Sequence, residues 1–171
     1  MEHHREISEH ISFKTPLIDS PHLIAFFDGS SQENGKKCGV GAYLKLNQSS
    51  FYYIKMNCGR GTNTIMGLWC LMFFASSLKI THIQIMGDSK VVVDWFNDRV
   101  VLQAATLNGW IQRIRGLKEN FVDISMSYIY WEYNDRAGKR SKEAFWLEEG
   151  ICVVTKWERS SQIQTEAIRI Y

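Results

Sequence analysis

Two short apolar runs each end in an aspartate, and this pairing constrains the chain more than any other feature. Residues 22–30 read HLIAFFDGS and residues 80–89 read ITHIQIMGDS. Their length and their β-branched and aromatic content fit strands bounded by turn residues. Asp28 lies inside or at the end of the first run, and Asp88 at the carboxyl end of the second. Burying an unpaired carboxylate costs several kcal/mol, so a buried acid usually has a partner, and a cation is a common one. Open α/β sheets place their sites at the carboxyl ends of strands. If the two strands are neighbours, both acids reach one spot, where a carboxylate pair plus water suits Mg²⁺ or Mn²⁺. The plainer alternative gives them separate roles, Asp28 in a turn that begins at Gly29 and Asp88 or Ser89 at a helix cap.

Between these runs, CGVGAYLKL and FYYIKMN read as two more strands joined by short polar turns, which implies an antiparallel meander. The loop CGRGTNT follows, and Thr62, Asn63 or Thr64 can cap the apolar helix after it. After Asp88, Val92, Trp95 and Phe96 share a helical face. Leu107, Trp110, Ile111, Ile114 and Leu117 form a second helical stripe. Ile124, Met126, Tyr128 and Tyr130 alternate as a fifth strand, and a final helix is expected from the Asn134 cap to Gly150. The order β-β-β-α-β-α-α-β-α predicts an α/β fold. Its mixed five-stranded sheet has three antiparallel strands first, then parallel strands entered by right-handed crossovers, with helices on its faces.

With 171 residues, one domain is the default. The expected division is a polar arm over 1–21, the domain over 22–150 and an extension over 151–171 that adds one edge strand. The first twenty residues lack the apolar core of a secretory signal and no run is long enough to span a bilayer, so an intracellular protein without membrane association is expected. Cys38, Cys58, Cys70 and Cys152 have no metal or redox spacing and read as reduced packing residues. A net charge of +2 permits nucleic-acid binding without demanding it. Lys36, Lys37, Arg60, Lys90 and Arg99 fit phosphate contacts and a solvated surface equally well.

The segments FFDGSSQENGKKCGVGAYLKL, GTNT, IQIMGDSKVVVDWFNDR and YNDRAGKRSKEA together resemble the ribonuclease H domain, in the version carried by plant retrotransposon reverse transcriptases. The likeness runs over about residues 22–150. It implies the ribonuclease H-like fold and an endonuclease that cuts the RNA strand of an RNA·DNA hybrid with two divalent metals held by four carboxylates. Matched residue by residue, it makes Asp28 and Asp88 the first and third carboxylates, catalytic and metal-binding. It places Gly29, Ser30, Arg60, Thr62 and Asn63 where the family touches the hybrid.

The same match exposes two losses. The second carboxylate is a Glu early in the first helix, yet no Asp or Glu occurs between Glu33 and Asp88. Anchored on Leu68-Trp69, the helix has lost about three residues with the Glu among them; anchored on Asn63, Gly67 stands near the Glu position. The fourth carboxylate is an Asp of the last helix, where Gly138 stands instead. Asp135, three residues earlier, is a possible substitute or simply an acid favoured by the helix dipole. The family's catalytic His loop is also missing from YIYWEYN. The expectation is a degenerate ribonuclease H-like domain that binds Mg²⁺ or Mn²⁺ weakly and whose catalysis is impaired or lost. The alternative is a non-catalytic nucleic-acid-binding or interaction domain of retroelement origin.

Overall fold

The computed structural model describes residues 23–60, 63–102 and 107–170, with Asn63 described by its backbone alone. The chain forms β1 (Leu23–Gln32), β2 (Lys37–Lys45), β3 (Ser50–Gly59), α1 (Asn63–Ser77), β4 (His82–Gly87), α2 (Lys90–Phe96), α3 (Asn108–Lys118) and β5 (Asp123–Tyr128). After a 3₁₀ turn come α4 (Asp135–Glu143), a second 3₁₀ turn, β6 (Ile151–Glu158) and β7 (Ser161–Arg169). The strands make one sheet in the order β5-β4-β1-β2-β3-β6-β7. β1, β2 and β3 form the expected meander, and β4 and β5 enter parallel to β1.

Three boundaries differ from the sequence expectation. Among the described residues the sheet has seven strands rather than five, because the tail forms a hairpin, β6–β7, that pairs antiparallel on β3. β1 does not turn at Gly29: Gly29 pairs with Val40, the strand runs on to Gln32, and the reversal falls at Glu33, Asn34 and Gly35, all with positive φ. The last helix is shorter than predicted. It stops at Glu143, tightens into a 3₁₀ turn over Ala144–Trp146, and reverses through Gly150 at φ +84° into β6.

The central sheet separates two faces. On one, Ala25, Phe27, Val40, Ala42, Leu44, Tyr52 and Ile54 are buried and α1 lies across them. α1 is covered in turn by α3, with Trp69 against Trp110 at 5.2 Å. A helix enclosed on both sides is apolar all round, which explains why Ile65–Ala75 carries no charge. The four cysteines are buried thiols, as the sequence suggests, and burial pushes those of Cys58, Cys70 and Cys152 up.

On the other face α4 sits directly on β2. A Cβ on Gly39 would run into the Ser141 carbonyl oxygen, and one on Gly41 into the Ala137 carbonyl oxygen. The helix meets these glycines with its own small residues, Ala137 and Ser141, joined by Ala144 of the 3₁₀ turn, all fully buried. Ser141 Oγ donates to the Gly138 carbonyl and lies 2.6 Å from Ser30 Oγ. Asn134, at the start of α4, caps nothing with its side chain; its Nδ2 donates instead to the Phe27 carbonyl at 2.9 Å. Arg136 and Arg140 lie over Tyr43 and Tyr53 at 4.7 and 4.0 Å.

The close seat makes a test. Gly41→Ala should cost about 1–3 kcal/mol by overpacking, lowering the urea midpoint. Gly116→Ala, in α3 with no atom within 4 Å of the added methyl, should be neutral or stabilising. Equal effects at the two positions would contradict the packing described here.

Candidate active site and nucleic-acid interface

β1 and β4 pair in parallel with Phe27 opposite Gly87. The next residue on each strand is an aspartate, so Asp28 and Asp88 stand side by side at the same end of the sheet. They are near enough for their carboxyl groups to share a hydrogen bond. Asp28 Oδ1 also accepts the Gly29 N–H at 2.8 Å. Ser89 caps α2 by accepting the Val92 N–H, so Asp88 is left free of that duty.

Burial and the adjoining Asp88 charge together raise the Asp28 pKa from 3.8 to about 7. The Asp88 hydrogen bond adds to the rise, while the Gly29 N–H and the charge of Lys142 oppose it. Two carboxylates forced together hold a proton up to near neutrality, and a cation placed between them would displace it. The donor set suits one divalent ion completed by water. Among the described residues no group of three or more His, Cys, Asp or Glu side chains is placed to hold a metal ion.

Two glycines from opposite faces close on Asp28. A Cβ on Gly138 of α4 would lie 3.2 Å from Asp28 Oδ2. A Cβ on Gly67 of α1 would lie 3.1 Å from the Asp28 carbonyl oxygen and 3.4 Å from the Val40 Cβ. α1 is continuous through this point. In the register anchored on Asn63, Gly67 is the residue that stands near the family's Glu position, and it lies against β1 at Asp28.

The other candidate positions differ in placement. Ser30 turns its hydroxyl to Ser141 on α4. Arg60 is exposed just after β3. Thr62 and the side chain of Asn63 lie outside the described residues. The Asp135 carboxylate is largely exposed and 3.2 Å from Lys139 Nζ. Lys37 pairs with Glu33 and Arg99 with Asp94. Sequence reasoning missed Lys142. It stands four residues after Gly138, on the same helical face, but only the docking of α4 brings its charge to bear on Asp28.

The raised pKa gives a pH dependence with a definite sign. The folded state holds the Asp28 proton more tightly than the unfolded chain. This contribution is intact below about pH 4 and is lost as the pH rises through about 7. In the absence of divalent ions, Asp28→Asn should therefore gain stability relative to wild type between pH 5 and 8. A difference that stays constant over that range would show that Asp28 titrates normally.

Comparison with known proteins places the fold. No curated protein sequence matches the chain significantly. Among solved structures, ribonuclease H1 of the halophilic archaeon Halobacterium salinarum is similar at 25% identity and TM-score 0.67, over 72% of this chain and 96% of that one. The N-terminal ribonuclease H domain of a Mycobacterium tuberculosis protein is similar in fold at 23% identity and TM-score 0.67, over 74% and 94%. A ribonuclease H1 designated LC11, solved in complex with an RNA/DNA hybrid, gives 20% identity and TM-score 0.62, over 72% and 96%. The family model described as reverse transcriptase-like matches residues 26–144, a span that holds Asp28, Gly67, Asp88 and Gly138. The chain belongs to this reverse transcriptase-like family and is a ribonuclease H-like domain.

Proposed function

We propose that this protein is a nucleic-acid-binding domain descended from RNA·DNA-hybrid endonucleases of the plant retrotransposon type, with its two-metal catalysis impaired or lost. The observation that carries this reading is the convergence of Gly67 and Gly138 on Asp28. In this reading the two positions are those of the family's missing carboxylates, each replaced by a residue without a side chain. Asp28 and Asp88 hold one Mg²⁺ or Mn²⁺ weakly. Gly29, Ser30, Arg60, Thr62 and Asn63 meet the hybrid backbone. Losses in the outer shell of a metal site alone cost 10–100-fold in affinity or activity, and loss of two direct ligands costs more. Asp135 engages Lys139 and is not a substitute in this reading.

A labelled RNA·DNA hybrid in Mg²⁺ or Mn²⁺ tests the assignment. Wild type should bind the hybrid and cleave it slowly or not at all. Gly67→Glu combined with Gly138→Asp should raise cleavage by about 100-fold or more, and Asp88→Asn should abolish the gain. The Gly67 substitution requires α1 to withdraw by a few tenths of an ångström, so the variant's melting curve belongs with the assay. Rapid, Asp88-dependent cleavage by wild type would overturn the reading, as would a folded double variant that stays inert.

A further inference from the structure

The end of β5 and the segment from it to α4 are covered with aromatic side chains that the core does not use. Tyr128, Tyr130, Trp131 and Tyr133 are 44%, 63%, 73% and 73% exposed. The strand alternation expected to carry Tyr130 inward ends at Tyr128. Both ends of the segment are fastened to the carboxylate site. Tyr128 stands opposite Gly87, the residue before Asp88, and the Ile129 N–H donates to the Gly87 carbonyl at 3.0 Å. At the other end Asn134 Nδ2 donates to the carbonyl of Phe27, the residue before Asp28. The aromatics are thus held beside the Asp28–Asp88 pair.

Next to them a cleft of about 290 Å³ is walled by Phe26, Tyr43 and Tyr133, with Arg136 on its lining. The guanidinium of Arg136 lies 4.7 Å from the centroid of the Tyr43 ring. The helix that follows carries Arg136, Lys139, Arg140 and Lys142 against Asp135 and Glu143, a cationic excess beside an aromatic surface. Aromatic faces with cations alongside match unpaired nucleobases and their phosphates. Stacking accepts any base, because every base has a π-face. A paired duplex keeps its bases stacked on one another and cannot use such a surface in the same way.

We propose that Tyr130, Trp131, Tyr133 and the Arg136 cleft form a stacking site for unpaired nucleotides, so that the domain binds single-stranded nucleic acid beside its carboxylate pair. The inference deepens the nucleic-acid reading above and rests on it. Four or so aromatic faces set the footprint at a few nucleotides, and the basic residues of α4 supply salt-dependent attraction to the strand.

The test is binding of labelled oligothymidylate, an abasic oligonucleotide of the same length and an RNA·DNA hybrid, by fluorescence anisotropy at low salt. Wild type should bind oligothymidylate about tenfold or more tighter than the abasic strand. Trp131→Ala with Tyr133→Ala should remove most of that preference, leave hybrid binding within about threefold, and leave the melting temperature unchanged, since both side chains are exposed. Equal affinity for the normal and abasic strands would reduce the surface to phosphate attraction and overturn the proposal. An equal loss of hybrid and single-strand binding in the variant would overturn it too. Hybrid binding without single-strand binding would sink this inference alone, whereas binding of neither would sink the nucleic-acid reading with it.

Discussion

The contact on which the rest of the site depends is the seat of α4 on β2. Gly39 and Gly41 leave no side chain beneath the helix, and Ala137, Ser141 and Ala144 let it settle until backbone meets backbone. At that depth Gly138 comes over Asp28, Lys142 comes within electrostatic reach of the same carboxyl, and Asn134 is drawn onto the Phe27 carbonyl. A bulkier pair on β2 would lift the helix and dissolve all three relations at once. The CGVG segment, which in sequence is only a strand with small residues at its start, thereby fixes the geometry of the functional end of the sheet.

α1 does the equivalent from the opposite face. Gly67 brings its axis close to β1, so that Asp28 is gripped between two helices that each present a glycine. The consequence is electrostatic. A carboxyl placed there loses water, accepts the Gly29 N–H and must share space with Asp88. The pair is held near neutrality by a proton or by a cation, and Lys142 supplies only part of the missing charge. In a two-metal nuclease the cations, not the protein, would neutralise such a site. In the proposed reading the chain keeps two of these acids, and Gly67 and Gly138 stand where the others would be.

Much of this was legible from the chain itself. The apolar runs ending at Asp28 and Asp88 announced two strands, and their parallel pairing does bring the acids together. The meander followed from two short connections, and the crossovers from the helices between the later strands. What was not legible depended on tertiary contact. The β6–β7 hairpin has many polar, half-exposed positions, and its strandedness comes from pairing on β3 rather than from an apolar face. Gly29 looked like a turn because Asp-Gly usually is one, yet the opposite strand extends β1 past it. The register of α1 has two solutions in sequence, and only the packing of the helix brings Gly67 up to Asp28. The exposed Tyr130 looked like part of a continuing strand, because alternation does not record where hydrogen bonding stops.

The central claim is that the site can hold one divalent ion and no longer two. Crystals of the protein with an RNA·DNA hybrid, soaked in Mn²⁺, answer this directly through the anomalous signal of the metal. The account predicts at most one peak, bounded by Asp28 and Asp88. Two peaks about 3.5–4 Å apart would mean that the two-metal clamp survives, and would contradict it.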